Sequence, residues 1–199
     1  MGFSSYDYLN RRGIRDISWK DFHRICKALA TAIYSYKPDW IMPIGRGGYY
    51  PGTLIAHMLQ IEIYPIRISR RVNDLLRYEK PRWIIEPPEF IKDQRILIVD
   101  EICSTGQTMS MVKEEIEKKG VSHVKSAVLY AHSRSVDIPD YIGVITDELI
   151  VNPWDREIMI DGVFQLHPEY TKAIADQDLK LGLFSADQEK PFQLAKARE

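Results

Sequence analysis

The chain has 199 residues, 45% of them hydrophobic, and a formal net charge of -1. That length allows a well-buried core within one domain, and the near-neutral balance excludes a global pull toward nucleic acid or an anionic membrane, so any anion must be held by a local site. No apolar run approaches the roughly 20 residues of a membrane helix, and the start MGFSSYDYLNRRG has no apolar core of signal-peptide length.

Residues 1–17 read as an arm rich in Tyr, Asp and Arg, without a clear period. Ser18-Trp19-Lys20-Asp21 is a capping-box pattern, Ser18 closing the helix start while Asp21 reaches back to it. Phe22, Ile25, Cys26, Leu29 and Ile33 follow at helical spacing, which predicts a helix from about Ser18 to Tyr36, ended before Pro38. His23 falls off that stripe and reads as a surface residue. Asp39 to Ile44 is a short apolar strand that runs into Gly45-Arg46-Gly47-Gly48. Glycines at a strand end permit close backbone approach, and Arg46 offers a planar cationic fork suited to phosphate. The same letters equally describe a tight turn with a surface arginine. Pro51 suits the first turn of a helix from Tyr50 to about Leu59. Ile63 to Ser69 alternates well enough for one strand. Arg70 to Glu89, with three prolines and many charges, is a long connection with at most a short strand at Trp83-Ile84-Ile85. Such a connection is either a lid or binding loop or a plain surface hairpin.

Arg95 to Met109, RILIVDEICSTGQTM, organises the rest. Ile96 to Val99 is an uninterrupted apolar run, as in a parallel strand buried on both faces, which places Asp100 and Glu101 at its carboxyl edge. The loop Cys103-Ser104-Thr105-Gly106-Gln107-Thr108 then leads into a helix from Gln107 to Lys119, with Met109, Val112 and Ile116 inward and Gly120 as C-cap. Strands are expected at Val124–Ala131 and Tyr141–Thr146, with a short one at Leu149–Val151, a hairpin edge at Glu157–Gly162 and a charged tail beyond about His167. Strands alternating with helices define an α/β fold, a mainly parallel twisted sheet flanked by helices. Cys26 and Cys103 have no metal-like spacing, so a reduced, cytoplasmic chain is expected.

A turn containing Thr105-Gly106-Gln107-Thr108 at a helix N-terminus presents successive N–H groups, with Gly106 allowing close approach and the threonine hydroxyls adding donors. That is a cradle for a phosphate monoester. The lysine and glycine spacing of a P-loop are missing. Asp100 and Glu101, just upstream, suit the vicinal hydroxyls of a sugar and also Mg²⁺. Together these residues predict a phosphorylated ribose with a metal beside it.

The stretch resembles the phosphoribosyl diphosphate (PRPP) signature of the type I phosphoribosyltransferases. Ile44-Gly45-Arg46-Gly47-Gly48 is similar to that family's pyrophosphate loop. Pro139-Asp140-Tyr141 with Leu149 to Asp155 is similar to the hood of its 6-oxopurine members, particularly the xanthine-guanine type. The resemblance covers about residues 18–160. It implies a domain over 18–164, including a small hood at about 139–164 over the active site, between an arm (1–17) and a tail (165–199). It implies transfer of ribose 5-phosphate from PRPP to a purine base, most directly guanine, xanthine or hypoxanthine, with Mg²⁺ bound mainly through PRPP oxygens and water. Ser104 to Thr108, with Cys103 in the same loop, would hold the 5-phosphate. Asp100 and Glu101 would face the ribose hydroxyls, Gly45, Arg46 and Gly47 would take the pyrophosphate, and the peptide before Arg46 is often cis in the family. Asp100, Glu101, Ser104 and Arg46 are thus the candidate catalytic residues. The segment 70–89 would be the lid. The partners implied are PRPP, a purine base and a second copy of the chain in a homodimer or tetramer, without nucleic acid or membrane.

Three letters depart from the family. Ser104 replaces an Asp placed near the purine N7, and a hydroxyl cannot act as an ionised base near pH 7. His132 stands where a Lys reads the purine O6. Leu149 replaces a stacking aromatic. Backbone groups of Ile150 could bond the base edge, and Asp155 could accept from an exocyclic amine or approach the metal. Trp154 reads as core, and Cys103 as a small loop residue. These departures leave two alternatives open: a transferase for adenine or a pyrimidine, and a PRPP- or nucleotide-sensing regulator of the same fold.

Overall fold

Parallel strands covered on both faces need apolar runs, and such runs build the main sheet of the computed structural model, which describes residues 11, 13–72, 75–176 and 196–197. In chain order the first elements are β1 (Ile14–Asp16), α1 (Trp19–Ile33), β2 (Trp40–Gly45), α2 (Tyr49–Leu59), β3 (Glu62–Ile63) and β4 (Ile66–Ser69). Then come β5 (Arg71–Val72), β6 (Leu75–Leu76), β7 (Arg82–Ile85), β8 (Arg95–Cys103), α3 (Gln107–Lys118) and β9 (His123–Ala131). The last are β10 (Tyr141–Ile145), β11 (Leu149–Val151), β12 (Glu157–Ile160), β13 (Val163–Leu166), α4 (Pro168–Asp176) and β14 (Lys196–Ala197). The described residues fall into two compact units: 24–146 with 196–197, and 11 and 13–23 with 147–176.

The first unit holds the sheet in the order β14-β10-β9-β8-β2-β4-β7, with β3 also beside β2. β2, β3, β4, β8, β9 and β10 run parallel, and only the edges β14 and β7 are antiparallel. Its core gathers Met42, Ile44, Ile66, Ile96, Ile98 and Val128 from the strands with Met109, Val112 and Ile116 from α3. Gly143 lies so close to Ile25 of α1 that a Cβ there would collide with it. At the start of α1 the Asp21 backbone N–H donates to Ser18 Oγ (3.0 Å), and the Ser18 hydroxyl donates to the Asp21 carboxylate (2.7 Å), so both capping residues act as expected. Both cysteines are buried free thiols.

Three sequence expectations for this unit are corrected. The strand expected over 63–69 is two, β3 and β4, because Pro65 has no N–H to keep a ladder going. The central strand does not end at Val99. Its pairing with β2 stops at Pro43↔Val99, but pairing with β9 continues to Cys103↔Ala131, so Asp100 and Glu101 lie within β8 on a stretch that only β9 flanks. The tail also contributes β14, paired with Tyr141 and Ile142. The connection 70–89 forms the β5–β6 hairpin and β7, with residues 73–74 outside the described ones.

In the second unit, Ile14 to Asp16 pairs in parallel with Leu149 to Val151. The arm, in which the sequence shows no clear period, therefore supplies a strand, and its residues 1–10 and 12 lie outside the described ones. β12 and β13 form a hairpin through Asp161 and Gly162, both at positive φ (49° and 80°), the requirement of a two-residue primed turn. Leu149 and Val151 pack with Tyr170 and Ala173 of α4. Trp154, half-buried, stacks edge-on against Phe22 (5.1 Å between centroids) and lies beside the exposed Trp19 (6.3 Å). Of the tail, α4 is the peripheral helix, and residues 177–195 and 198–199 lie outside the described ones.

Candidate active site

Strand order decides where a ligand can sit. From β2 the chain moves outward through α2 to β4, whereas β8 lies on the other side of β2 and leads through α3 to β9. The carboxyl ends of β2 and β8 therefore form a topological switch point, where the loops part and leave a crevice. The two motifs singled out in the sequence are the loops at this point.

The β2–α2 turn is pressed against β8. A Cβ at Gly48 would strike the backbone carbonyls of Ile44 and Val99, and one at Gly47 would strike the Glu101 carboxylate. The second glycine thus lets the Arg46 turn lie directly on the acidic stretch, and the first makes room for the acid itself. The Gly45–Arg46 peptide is cis, and Arg46 is exposed. Asp100 Oδ1 accepts the Glu101 backbone N–H at 2.8 Å. Burial pushes the Asp100 carboxyl up to about 7, against the pull of that hydrogen bond. A carboxyl poised near neutrality ionises readily once hydroxyl donors or a cation arrive.

At the next turn Gly106, at φ 79°, is the N-cap residue of α3 and has no side chain to occupy the first-turn N–H groups. Among the described residues only that of Gln107 finds a side chain, Thr105 Oγ1, at 3.4 Å. Ser104, Thr105, Gln107 and Thr108 all keep some exposure. The arrangement is the open end of a twelve-residue helix, fitted to an anion. Cys103 is buried, and burial raises its thiol, so it lines the loop from beneath.

One contributor was not legible from the motif. Arg134, just past β9, donates from Nε to the Ser104 carbonyl (2.9 Å) and from Nη2 to Ser104 Oγ (3.1 Å). Ser135 Oγ donates to the Cys103 carbonyl (2.6 Å), which also receives the His132 N–H (3.0 Å). The signal available in the sequence was a cation two residues beyond the expected His132 position, at the end of a neighbouring strand.

Of the base-reading candidates, His132, Leu149 and Ile150 are buried. His132 is 1% exposed, and its Nδ1 lies 2.7 Å from the Thr146 carbonyl. A carbonyl only accepts, so Nδ1 carries the proton, and a neutral ring presents Nε2 as an acceptor rather than a donor. A neutral His132 therefore cannot donate to a base oxygen; only the imidazolium can. In the second unit, by itself, Leu149 and Ile150 are buried. Asp155 accepts the Tyr170 hydroxyl at 2.8 Å, and burial raises its carboxyl against that bond. For a metal, no group of three or more His, Cys, Asp or Glu side chains is gathered among the described residues. The donor set, two adjacent carboxylates beside a phosphate cradle, fits a Mg²⁺ that keeps waters and substrate oxygens as most of its ligands.

Residues 18–159 match the family model of the phosphoribosyl transferase domain, and the chain belongs to that family. A solved purine phosphoribosyltransferase from Pyrococcus horikoshii is 32% identical, with a TM-score of 0.66 over 75% of this chain and 99% of that one. The hypoxanthine-guanine phosphoribosyltransferase of Saccharomyces cerevisiae is 27% identical over 55% of this chain and 58% of its own length, so the chain spans little more than half of that relative. The xanthine-guanine phosphoribosyltransferase of Idiomarina loihiensis is 21% identical over 81% of this chain and 93% of its own. Among the described residues no helix is long and apolar enough to cross a membrane.

Proposed function

We propose that the protein is a purine phosphoribosyltransferase, moving ribose 5-phosphate from PRPP to a ring nitrogen of a 6-oxopurine (guanine, xanthine or hypoxanthine) and releasing pyrophosphate. The observation that carries this reading is the contact of the Arg46 turn with the Asp100–Glu101 stretch beside an uncapped helix start, all at one switch point. In the reaction the C1–O bond to pyrophosphate breaks, a C1–N bond to the base forms, and the ring N–H proton leaves. Arg46, with the backbone of Gly45 and Gly47, holds the departing pyrophosphate. Asp100 and Glu101 accept the ribose hydroxyls and stabilise positive charge on the ring as it becomes cation-like. Ser104 to Thr108 fix the 5-phosphate, so C1 is positioned by its far end. Asp100 and Glu101 are the residues that would lie beside a Mg²⁺ held mainly by PRPP oxygens and water, and such an ion would supply charge neutralisation for the leaving group. Asp155 is a second candidate contact for the metal or an exocyclic amine, and Leu149 and Ile150 are the candidate base neighbours. The family's habits support a cytoplasmic enzyme acting as a homodimer or tetramer.

His132 supports the 6-oxopurine reading if it is charged. The bond from its Nδ1 to Thr146 favours a second reading, an adenine acceptor, because an Nε2 acceptor suits an exocyclic amine. Incubation with PRPP, Mg²⁺ and a panel of guanine, xanthine, hypoxanthine, adenine, uracil and orotate decides between them. Nucleotide formation from one purine class alone selects the reading. Absence of turnover with every base, alongside measurable PRPP binding, would leave a sensing protein instead of an enzyme.

A further inference from the structure

A phosphate monoester near neutral pH is mostly a dianion, and a cradle of neutral N–H and O–H donors usually has a cation beside it. The loop from Cys103 to Thr108 contains no Lys, Arg or His. Among the described residues, the cation bonded to it is Arg134, which grips both the carbonyl and the hydroxyl of Ser104 through one edge of its guanidinium. We infer that Arg134 is the cationic member of the phosphate site and that Ser104 holds it there without cancelling its charge.

Three observations support this assignment, which rests on the reading of the loop as the 5-phosphate cradle. The short turn that carries Arg134 is fixed to the loop. Ser135 Oγ and the His132 N–H both donate to the Cys103 carbonyl, at 2.6 and 3.0 Å, and Ile138 sits where a Cβ on Gly106 would be. The guanidinium is therefore held in place before a ligand binds, which reduces the ordering that binding requires. Arg134 is exposed, and its Nη1 has no partner among the described residues, so one edge of the fork faces away from Ser104. The residue it grips is neutral. An aspartate at 104 would accept the Nη2 N–H that Ser104 Oγ now accepts, as an ion pair, and offset the charge that a phosphate would otherwise meet.

The test compares PRPP and purine nucleoside 5′-monophosphates with the corresponding nucleosides, by calorimetric binding to the full chain. For R134M, monophosphate and PRPP binding should weaken about tenfold to hundredfold, the range of a lost charge-assisted hydrogen bond, with nucleoside binding unchanged. The KM for PRPP should rise while kcat moves less than about threefold, and R134K should recover part of the loss. S104D should weaken monophosphate binding in the presence of Arg134 and add little in the R134M background. Circular dichroism and Tm of each variant separate these effects from misfolding, and R134K covers the case in which R134M fails to fold. The inference is overturned if R134M binds monophosphates within twofold of the natural chain, or if it loses nucleoside and monophosphate affinity equally. A natural chain that binds neither PRPP nor any monophosphate overturns the phosphate-cradle reading itself, and this inference with it.

Discussion

The stretch 95–108 and the stretch 147–160 both carry an acid raised by burial, yet they are built in opposite ways. Asp100 meets only a backbone N–H, among glycine-bordered turns and an uncapped helix start. Asp155 is tied to a tyrosine hydroxyl next to residues that pack into a small apolar cluster. The first stretch sets two acidic side chains beside backbone groups whose positions are fixed by the sheet and do not depend on side-chain identity. The second offers side chains, whose identities can drift.

Four experiments press on that contrast, from the largest expected effect to the smallest. Replacing Asp100→Asn with Glu101→Gln should lower kcat/KM for PRPP by about a hundredfold or more, the scale of losing charge-assisted contacts to a cation-like transition state. A loss under tenfold would remove the acidic pair from the mechanism. Gly48→Ala forces a Cβ into two backbone carbonyls, which cannot move aside as a side-chain tip can. It should destabilise the fold by about 1–3 kcal/mol in denaturant unfolding, and an unchanged midpoint would show that the turn is not pressed on β8.

The third experiment follows pH. The Asp100 carboxyl in the free protein is raised from its ordinary value to about 7 by burial. Its contribution to stability is therefore complete below about 4 and is lost as pH rises through 7. Asp100→Asn removes that loss, so its Tm should gain on the natural chain by a few degrees between pH 5.5 and 8.5, measured by calorimetry without ligand. Parallel pH profiles for the two proteins would contradict the assigned burial effect. The fourth experiment, His132→Ala, should change the ranking of bases while leaving the KM for PRPP within about twofold. An unchanged ranking removes His132 from base recognition.

What the sequence made legible follows the same contrast. The strand, acids and T-G-x-T turn are contiguous letters whose local geometry is set by glycine freedom and helix-start chemistry, so 95–108 could be interpreted before any contact was known. The capping box at Ser18–Asp21 and the interior stripe of α3 were legible for the same reason. β1 and β14 were not, because three or two residues show no period and become strands only through β11 and β10. The length of β8 escaped too: polar Asp100 and Glu101 look like a strand end, whereas β9 continues to pair beyond them. Arg134 was hidden because its meaning depends on a hydrogen bond across 30 residues of chain.

The excursion from Ser69 to Arg95 leaves the sheet at β4, one strand in from the β7 edge, and returns at the middle one, carrying a small hairpin, β7 and a short helical turn at Glu89–Ile91 on the way. Closing a loop becomes harder only with the logarithm of its length, so doubling such a segment costs about 0.6 kcal/mol. Lengthening the segment is therefore cheap only away from β7, which pairs with β4, and from Ile91, which is buried in the core. Outside those elements, segment length is thus a trait that can vary with little cost to stability while leaving the switch point untouched.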